Sequence, residues 1–178
     1  MSKYSINKPF IFYVGSDVGR KNIKRLAKSF NSIEKQIPHE LILAGNIRRQ
    51  YNSQRIKKIG YVNNEDLVQL YNQADLYVYP SLYEGFGLPI LEAQACGCPV
   101  LTSNVTSMPE VAGYGAHIVN PYSEKEIAEG MEKILNDKKY REELIKKGFE
   151  NVKRFSWEKT ARDILKVCKD LSKNPRRS

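Results

Sequence analysis

Five short, almost continuous apolar runs constrain this chain most: "PFIFYVGS" at 9–16, "HELILAG" at 39–45, "DLYVYPS" at 75–81, "PVLTS" at 99–103 and "AHIVNP" at 116–121. They are rich in β-branched and aromatic residues and lack the alternation of a half-exposed strand. That pattern reads as strands buried on both faces, the mark of a parallel sheet covered by helices on each side. A shorter third strand is expected near Ile59 to Val62 in "IKKIGYV", preceded by a polar segment read as a partial helix. Helical spacing fills the gaps. Ile23, Leu26, Ala27, Phe30 and Ile33 recur at helical intervals until Pro38 forbids continuation. In "NEDLVQLYNQA", Asn64 is placed as a cap, with a stripe through Leu67, Leu70 and Tyr71. Further helices are expected from Ser123 to about Asn136, Asp137 to about Lys153 and Ser156 to about Leu171. The fold class is therefore α/β, one doubly wound domain with a six-stranded parallel sheet flanked by helices. It is expected to occupy residues 1–171, with 172–178 ("SKNPRRS") a disordered tail.

Composition narrows the function classes. No stretch approaches the roughly 20 apolar residues of a membrane span, and "MSKYSINKPF" lacks the apolar core of a signal peptide, so a cytoplasmic protein is expected. Cys96, Cys98 and Cys168 are odd in number, with a C-x-C pair and no nearby histidine, and read as reduced thiols in the core. The net charge of +9 is concentrated at the end: residues 138–178 hold 14 Lys/Arg against 6 Asp/Glu. There the charges alternate with apolar residues, as in "EELIKKGFENVKRF", which favours a solvated helix face. Peripheral association with an anionic membrane stays open. Nucleic acid is not expected as a partner, because Phe149, Phe155 and Trp157 fall at core-like spacings rather than among the basic groups.

In an open parallel sheet, ligands bind beyond the carboxyl ends of the strands. The loop after the first strand, "GSDVGRKN", carries Arg20 and Lys21 before a helix, a setting suited to phosphate, although its G-x-x-x-G-R spacing matches neither a Walker loop nor G-x-G-x-x-G. A solvated Arg-Lys pair is the competing reading. In the loop after the fourth strand, Gly85 and Gly87 allow close approach to main-chain N–H groups, and Pro89 fits a first helical turn. Glu92 then falls among Leu88, Pro89, Ala95 and Cys96, an apolar setting for a carboxylate. It is expected to face a cleft where hydroxyl donors arrive, or else to pair with Arg20 or Lys21.

These residues also carry a family resemblance. "YEGFGLPILEAQACGCPVLTSNVTSMPEVAG", with Glu84 and Glu92 in a Glu-x7-Glu element, resembles the donor-site signature of retaining glycosyltransferases of family 4, glycosyltransferase group 1. The "GRKN" loop and "GYVNNEDLVQLYNQADLYVYPS" follow the same order, and the resemblance runs from the first strand to about Asn136. It implies a Rossmann-like domain forming the C-terminal half of a GT-B architecture, with a nucleotide sugar as donor substrate and no metal or other cofactor. No D-x-D motif is present. By the same resemblance, Glu92 would bond the ribose hydroxyls and Glu84 the transferred sugar. Backbone N–H groups of Phe86, Gly87 and Leu88 would meet the sugar and distal phosphate, with Gly85 also in the donor site, and Arg20 and Lys21 would meet the diphosphate. Gly15, Ser16, Gly45 and Tyr61 would complete the donor pocket, with the base near Gly45 and Tyr61. Ser16 stands where the family often has arginine. The implied product is a polysaccharide, lipopolysaccharide or glycolipid, made in the cytoplasm or at the inner face of the cell membrane. The acceptor site and catalytic histidine would belong to an N-terminal acceptor-binding domain outside these residues. The isolated domain is therefore expected to bind donor and to transfer nothing, with His39 and His117 structural. A nucleotide-sugar epimerase or a sugar phosphorylase would share the architecture, but "EGFGLPILE" argues against the epimerase. The non-enzymatic alternative is a nucleotide-binding or scaffold module.

Overall fold

A computed structural model describes residues 2–6 and 9–173. Six strands form one all-parallel sheet: β1 (Phe10–Val14), β2 (Glu40–Ala44), β3 (Ile56–Gly60), β4 (Leu76–Tyr79), β5 (Val100–Ser103) and β6 (Ala116–Val119), in the order β3-β2-β1-β4-β5-β6. This is a Rossmann-like order. Successive side chains of β1 enter different cores, which explains the lack of alternation in the sequence. Ile11 and Tyr13 join Leu41, Leu43, Val78 and Leu101 under α1 (Ile23–Ile33) and α5 (Glu124–Asn136). Phe10 and Phe12 join Ile42, Tyr77 and Val100 under α2 (Asn64–Gln73), α3 (Leu88–Ala95) and α4 (Met108–Ala112). In the second core Tyr71 meets Phe12 and Tyr77 edge-on at 5.4 and 5.1 Å, contacts each worth about 0.5–1.5 kcal/mol beyond burial. The chain continues through α6 (Lys138–Val152) to α7 (Trp157–Lys173).

Several boundaries depart from expectation, each for a tertiary reason. Helix α1 ends at Ile33, ahead of Pro38, because the Arg55 guanidinium collects the carbonyls of Glu34, Ile37 and His39. Strand β3 starts at Ile56, where Leu41 pairs with it, and no helix precedes it. It is an edge strand, and Lys57 and Lys58 blunt that edge, with Lys57 Nζ 3.0 Å from the buried Glu40. Helix α4, unread in the sequence, spans only five residues. Helix α7 continues through Ser172 and Lys173, past the expected boundary, and residues 174–178 lie outside the described ones. Phe149 and Trp157 are exposed rather than in the core, and only Phe155 packs against it. Cys98 is buried, but Cys96 is half-buried and Cys168 exposed.

Candidate functional site

The strand order reverses between β1 and β4, which pair directly, and a crevice forms where the loops after two such strands diverge. Both loops flagged in the sequence are there. After β1 the chain makes a 3-10 turn at Gly19–Lys21, then turns at Asn22 in the left-handed region, φ 58°, before α1 begins. Asn22 is only 4% exposed. Its amide nitrogen donates to the Pro80 carbonyl at 2.9 Å and the Pro121 carbonyl at 2.7 Å, and its oxygen accepts from Arg25 at 3.0 Å. The loop after β1 is thus fastened to the loops after β4 and β6. The Leu82 N–H adds a backbone bond to the Arg20 carbonyl at 2.7 Å.

This fastening brings Arg20 and Lys21 onto Glu84. Arg20 Nη1 donates to Glu84 Oε2 at 2.9 Å and to the Tyr83 carbonyl at 3.2 Å. Lys21 Nζ lies 2.8 Å from Glu84 Oε1, donates to the Tyr79 hydroxyl at 2.7 Å and sits over that ring at 4.8 Å. The Lys21 and Glu84 side chains are largely enclosed, whereas Arg20 is half exposed. Partial burial pushes the Glu84 carboxyl up, but Lys21 and the hydroxyls around it outweigh that and hold it below the usual carboxylate range. Burial and the Glu84 charge push the Tyr79 phenol well up, so it stays neutral and accepts from Lys21. The internal bases considered for Glu92 therefore belong to Glu84.

Helix α3 starts beside this cluster. Gly87 supplies its cap at φ 107°, Pro89 enters its first turn, and the Ile90 N–H bonds the Gly87 carbonyl at 2.9 Å. Among the described residues, the N–H groups of Gly85, Phe86, Gly87 and Leu88 donate to no protein acceptor. A helix N-terminus with free donors beside two cations suits an anion. Glu92, one turn further on, is exposed, and the buried polar side chain of α3 is Gln94. Gln94 donates to the Ala112 carbonyl at 3.0 Å and accepts from Asn151 at 2.7 Å. The helix "LPILEAQA" is apolar on all sides, so spacing could not say which side faced the core. Glu92 Oε2 accepts from the Tyr71 hydroxyl at 3.1 Å and borders a groove of about 510 Å³ with Phe86, Leu88 and Trp157.

Gly15, Ser16, Gly45 and Tyr61 lie at the carboxyl ends of β1, β2 and β3, on the same edge of the sheet. The Gly15 N–H bonds the Ala44 carbonyl at 3.0 Å, and the Gly45 N–H bonds the Gly60 carbonyl at 2.7 Å. Gly45 holds φ 105°, and a Cβ there would fall 1.9 Å from the Gly15 carbonyl oxygen, so no other residue fits. Tyr61 is 86% exposed. His39 lies 3.5 Å from Asp75 at the opposite edge of the sheet, and His117 meets the Tyr140 hydroxyl at 2.7 Å beneath α6. Among the described residues, no cluster of three or more His, Cys, Asp or Glu side chains could hold a metal, and no helix is long and apolar enough to cross a membrane. Local sequence does not mark Asn22, Tyr79, Thr106 and Ser107 as site residues, and marks Tyr71 only as part of a helical stripe, because their roles rest on contacts between distant segments.

Comparison with known proteins identifies the family. The family model for glycosyl transferases group 1 matches residues 2–151. O-antigen chain mannosyltransferase B of Escherichia coli is 36% identical over 185 residues, covering 96% of this chain and 49% of its own. The capsular polysaccharide biosynthesis glycosyltransferase CapM of Staphylococcus aureus is 32% identical over 160 residues, covering 83% of this chain and 42% of its own. Among solved structures, sucrose-phosphate synthase from Thermosynechococcus elongatus superposes with a TM-score of 0.81 at 28% identity, over 93% of this chain and 46% of that one. The chain spans about half the length of these relatives. A family match that begins ahead of β1 and closes near the end of α6 takes in the whole sheet and the two-glutamate turn, and the chain belongs to glycosyl transferases group 1.

Proposed function

We propose that this chain is the donor-binding domain of a retaining, metal-independent glycosyltransferase. It would hold a nucleoside-diphosphate hexose for transfer to a glycan or glycolipid acceptor, with the acceptor site on polypeptide outside these residues. The observation that carries the reading is the meeting, at the switch point, of Arg20, Lys21 and Glu84 with the free N–H groups at the start of α3. As the bond from the anomeric carbon to the diphosphate oxygen breaks, the electron pair leaves with the nucleotide, and positive charge and N–H dipoles at the switch point stabilise it. Arg20, the more exposed partner, moves from Glu84 to the diphosphate, while Lys21 stays tied to Tyr79. Glu84 then accepts from the sugar hydroxyls and Glu92 from the ribose, with Gly15, Ser16, Gly45 and Tyr61 beside the nucleoside. The E. coli and S. aureus relatives favour a hexose of a bacterial surface polysaccharide, mannose first.

A calorimetric panel of UDP-, GDP- and ADP-hexoses, with and without chelator, tests this. One nucleotide class should bind at 1:1 stoichiometry without metal, and Glu92→Ala should weaken it about tenfold, the loss of one charged hydrogen-bonding group. Unchanged binding by Glu92→Ala removes the ribose assignment, and an obligatory divalent ion removes the metal-free mechanism. A second reading, a docking module, is favoured by α7, where Trp157, Ile164, Leu165, Val167 and Leu171 are all exposed among basic residues. Cosedimentation with anionic but not neutral vesicles would support it.

A further inference from the structure

The turn that offers the free N–H groups is held from outside by Thr106 and Ser107, between β5 and α4. Glu84 N–H donates to Thr106 Oγ1 at 3.3 Å, and the Ser107 hydroxyl reaches the Phe86 carbonyl at 2.7 Å and the Glu84 carbonyl at 3.0 Å. A serine hydroxyl has one proton to donate, and the shorter distance gives it to Phe86. Two features show that these contacts are bought at a local cost. Ser107 stands at the N-cap of α4 yet makes no side-chain cap bond, although a serine there ordinarily accepts from the first helical turn. Thr106 holds φ 55°, a left-handed conformation that a β-branched residue rarely adopts.

A peptide group is planar and trans, so a fixed carbonyl also fixes the N–H of the next residue on the opposite side. By holding the Phe86 carbonyl, Ser107 turns the Gly87 N–H away from α4. Without that bond, the freedom of Gly87, at φ 107°, lets the Phe86–Gly87 peptide rotate and withdraw the donor. We propose that Ser107, supported by Thr106, is a positioning residue that presets the Gly87 N–H for the distal phosphate and sugar of the donor. It acts through the turn and touches no ligand. The inference rests on the donor-site reading above.

The test compares calorimetric titrations of wild type, Ser107→Ala and Ser107→Thr with the nucleoside-diphosphate hexose that binds best and with the monophosphate of the same nucleoside. Ser107→Ala should weaken the sugar nucleotide about five- to tenfold, the worth of one hydrogen bond, and change the monophosphate less than twofold. Ser107→Thr, which keeps the hydroxyl, should restore most of the loss. Equal weakening of both ligands, or none of either, with normal wild-type binding overturns the positioning role alone. A wild type that binds neither ligand overturns the donor-site reading and this role with it. Melting temperatures of the three proteins, expected to agree within about 3 °C for a change near 1 kcal/mol, separate a local effect from unfolding.

Discussion

Replacing Asn22 with alanine should be among the most damaging single changes near the site. Its amide nitrogen serves two buried carbonyls, Pro80 at 2.9 Å and Pro121 at 2.7 Å. Losing these bonds costs about 0.5–1.5 kcal/mol each, and more where a carbonyl is left buried without a donor. Alanine must also hold φ 58°, at about 1 kcal/mol more than asparagine. The total is about 2–4 kcal/mol. For a chain of this size each kcal/mol lowers the melting temperature by about 2–4 °C, so a fall of about 10 °C is expected by calorimetry or circular dichroism. Asn22→Gly loses the same bonds but accepts the left-handed turn, and should recover about 1 kcal/mol of the loss. An alanine variant melting within about 2 °C of wild type would refute the claim that Asn22 fastens the three loops. Equal melting of the alanine and glycine variants would remove the backbone contribution.

Other perturbations probe the same edge of the sheet. Gly45→Ala places a Cβ 1.9 Å from the Gly15 carbonyl oxygen at φ 105°, and should cost more than about 3 kcal/mol in urea unfolding. The Glu84 carboxyl titrates below its ordinary value of 4.5 in the folded protein, so the unfolded chain binds its proton first as pH falls. Its contribution is complete above pH 4.5 and lost as pH drops through the folded value. Glu84→Gln should therefore flatten the stability profile below pH 4.5 in acid-dependent urea midpoints. The His117 imidazole is pushed below 6.5 by burial and by Lys133, so stability should fall as pH drops from 6.5 and level off below the folded value. His117→Gln should remove that slope.

The central strands were legible because burial on both faces writes itself as an uninterrupted apolar run. Strand β3 was placed about three residues late because its edge position admits Lys57 and Lys58, which hide the period. The end of α1 was set by a distant arginine, which no local pattern reports. In the site, Gly85, Gly87 and Pro89 mark the turn by their special backbone properties, so Glu84 and the start of α3 stood out. Which polar residue of α3 turns inward is not legible, because a short helix with apolar residues all round gives no direction to the core, and the buried one is Gln94. The pairing of Glu84 with Arg20 and Lys21, and the hold of Ser107 on the turn, join residues about twenty to sixty positions apart through the packing of parallel strands. Phe149 and Trp157 have core-like spacings yet are exposed on α6 and α7, since amphipathicity names a face but not what covers it.

The most direct measurement is a nuclear magnetic resonance titration of isotope-labelled protein with the nucleoside diphosphate that binds best. A donor site at the switch point should shift the amides of Gly15 to Asn22, Gly45, Tyr61 and Phe86 to Glu92 together, along one binding curve. Shifts confined to α6 and α7, or a saturating ligand that leaves Gly87 and Leu88 unmoved, would contradict it.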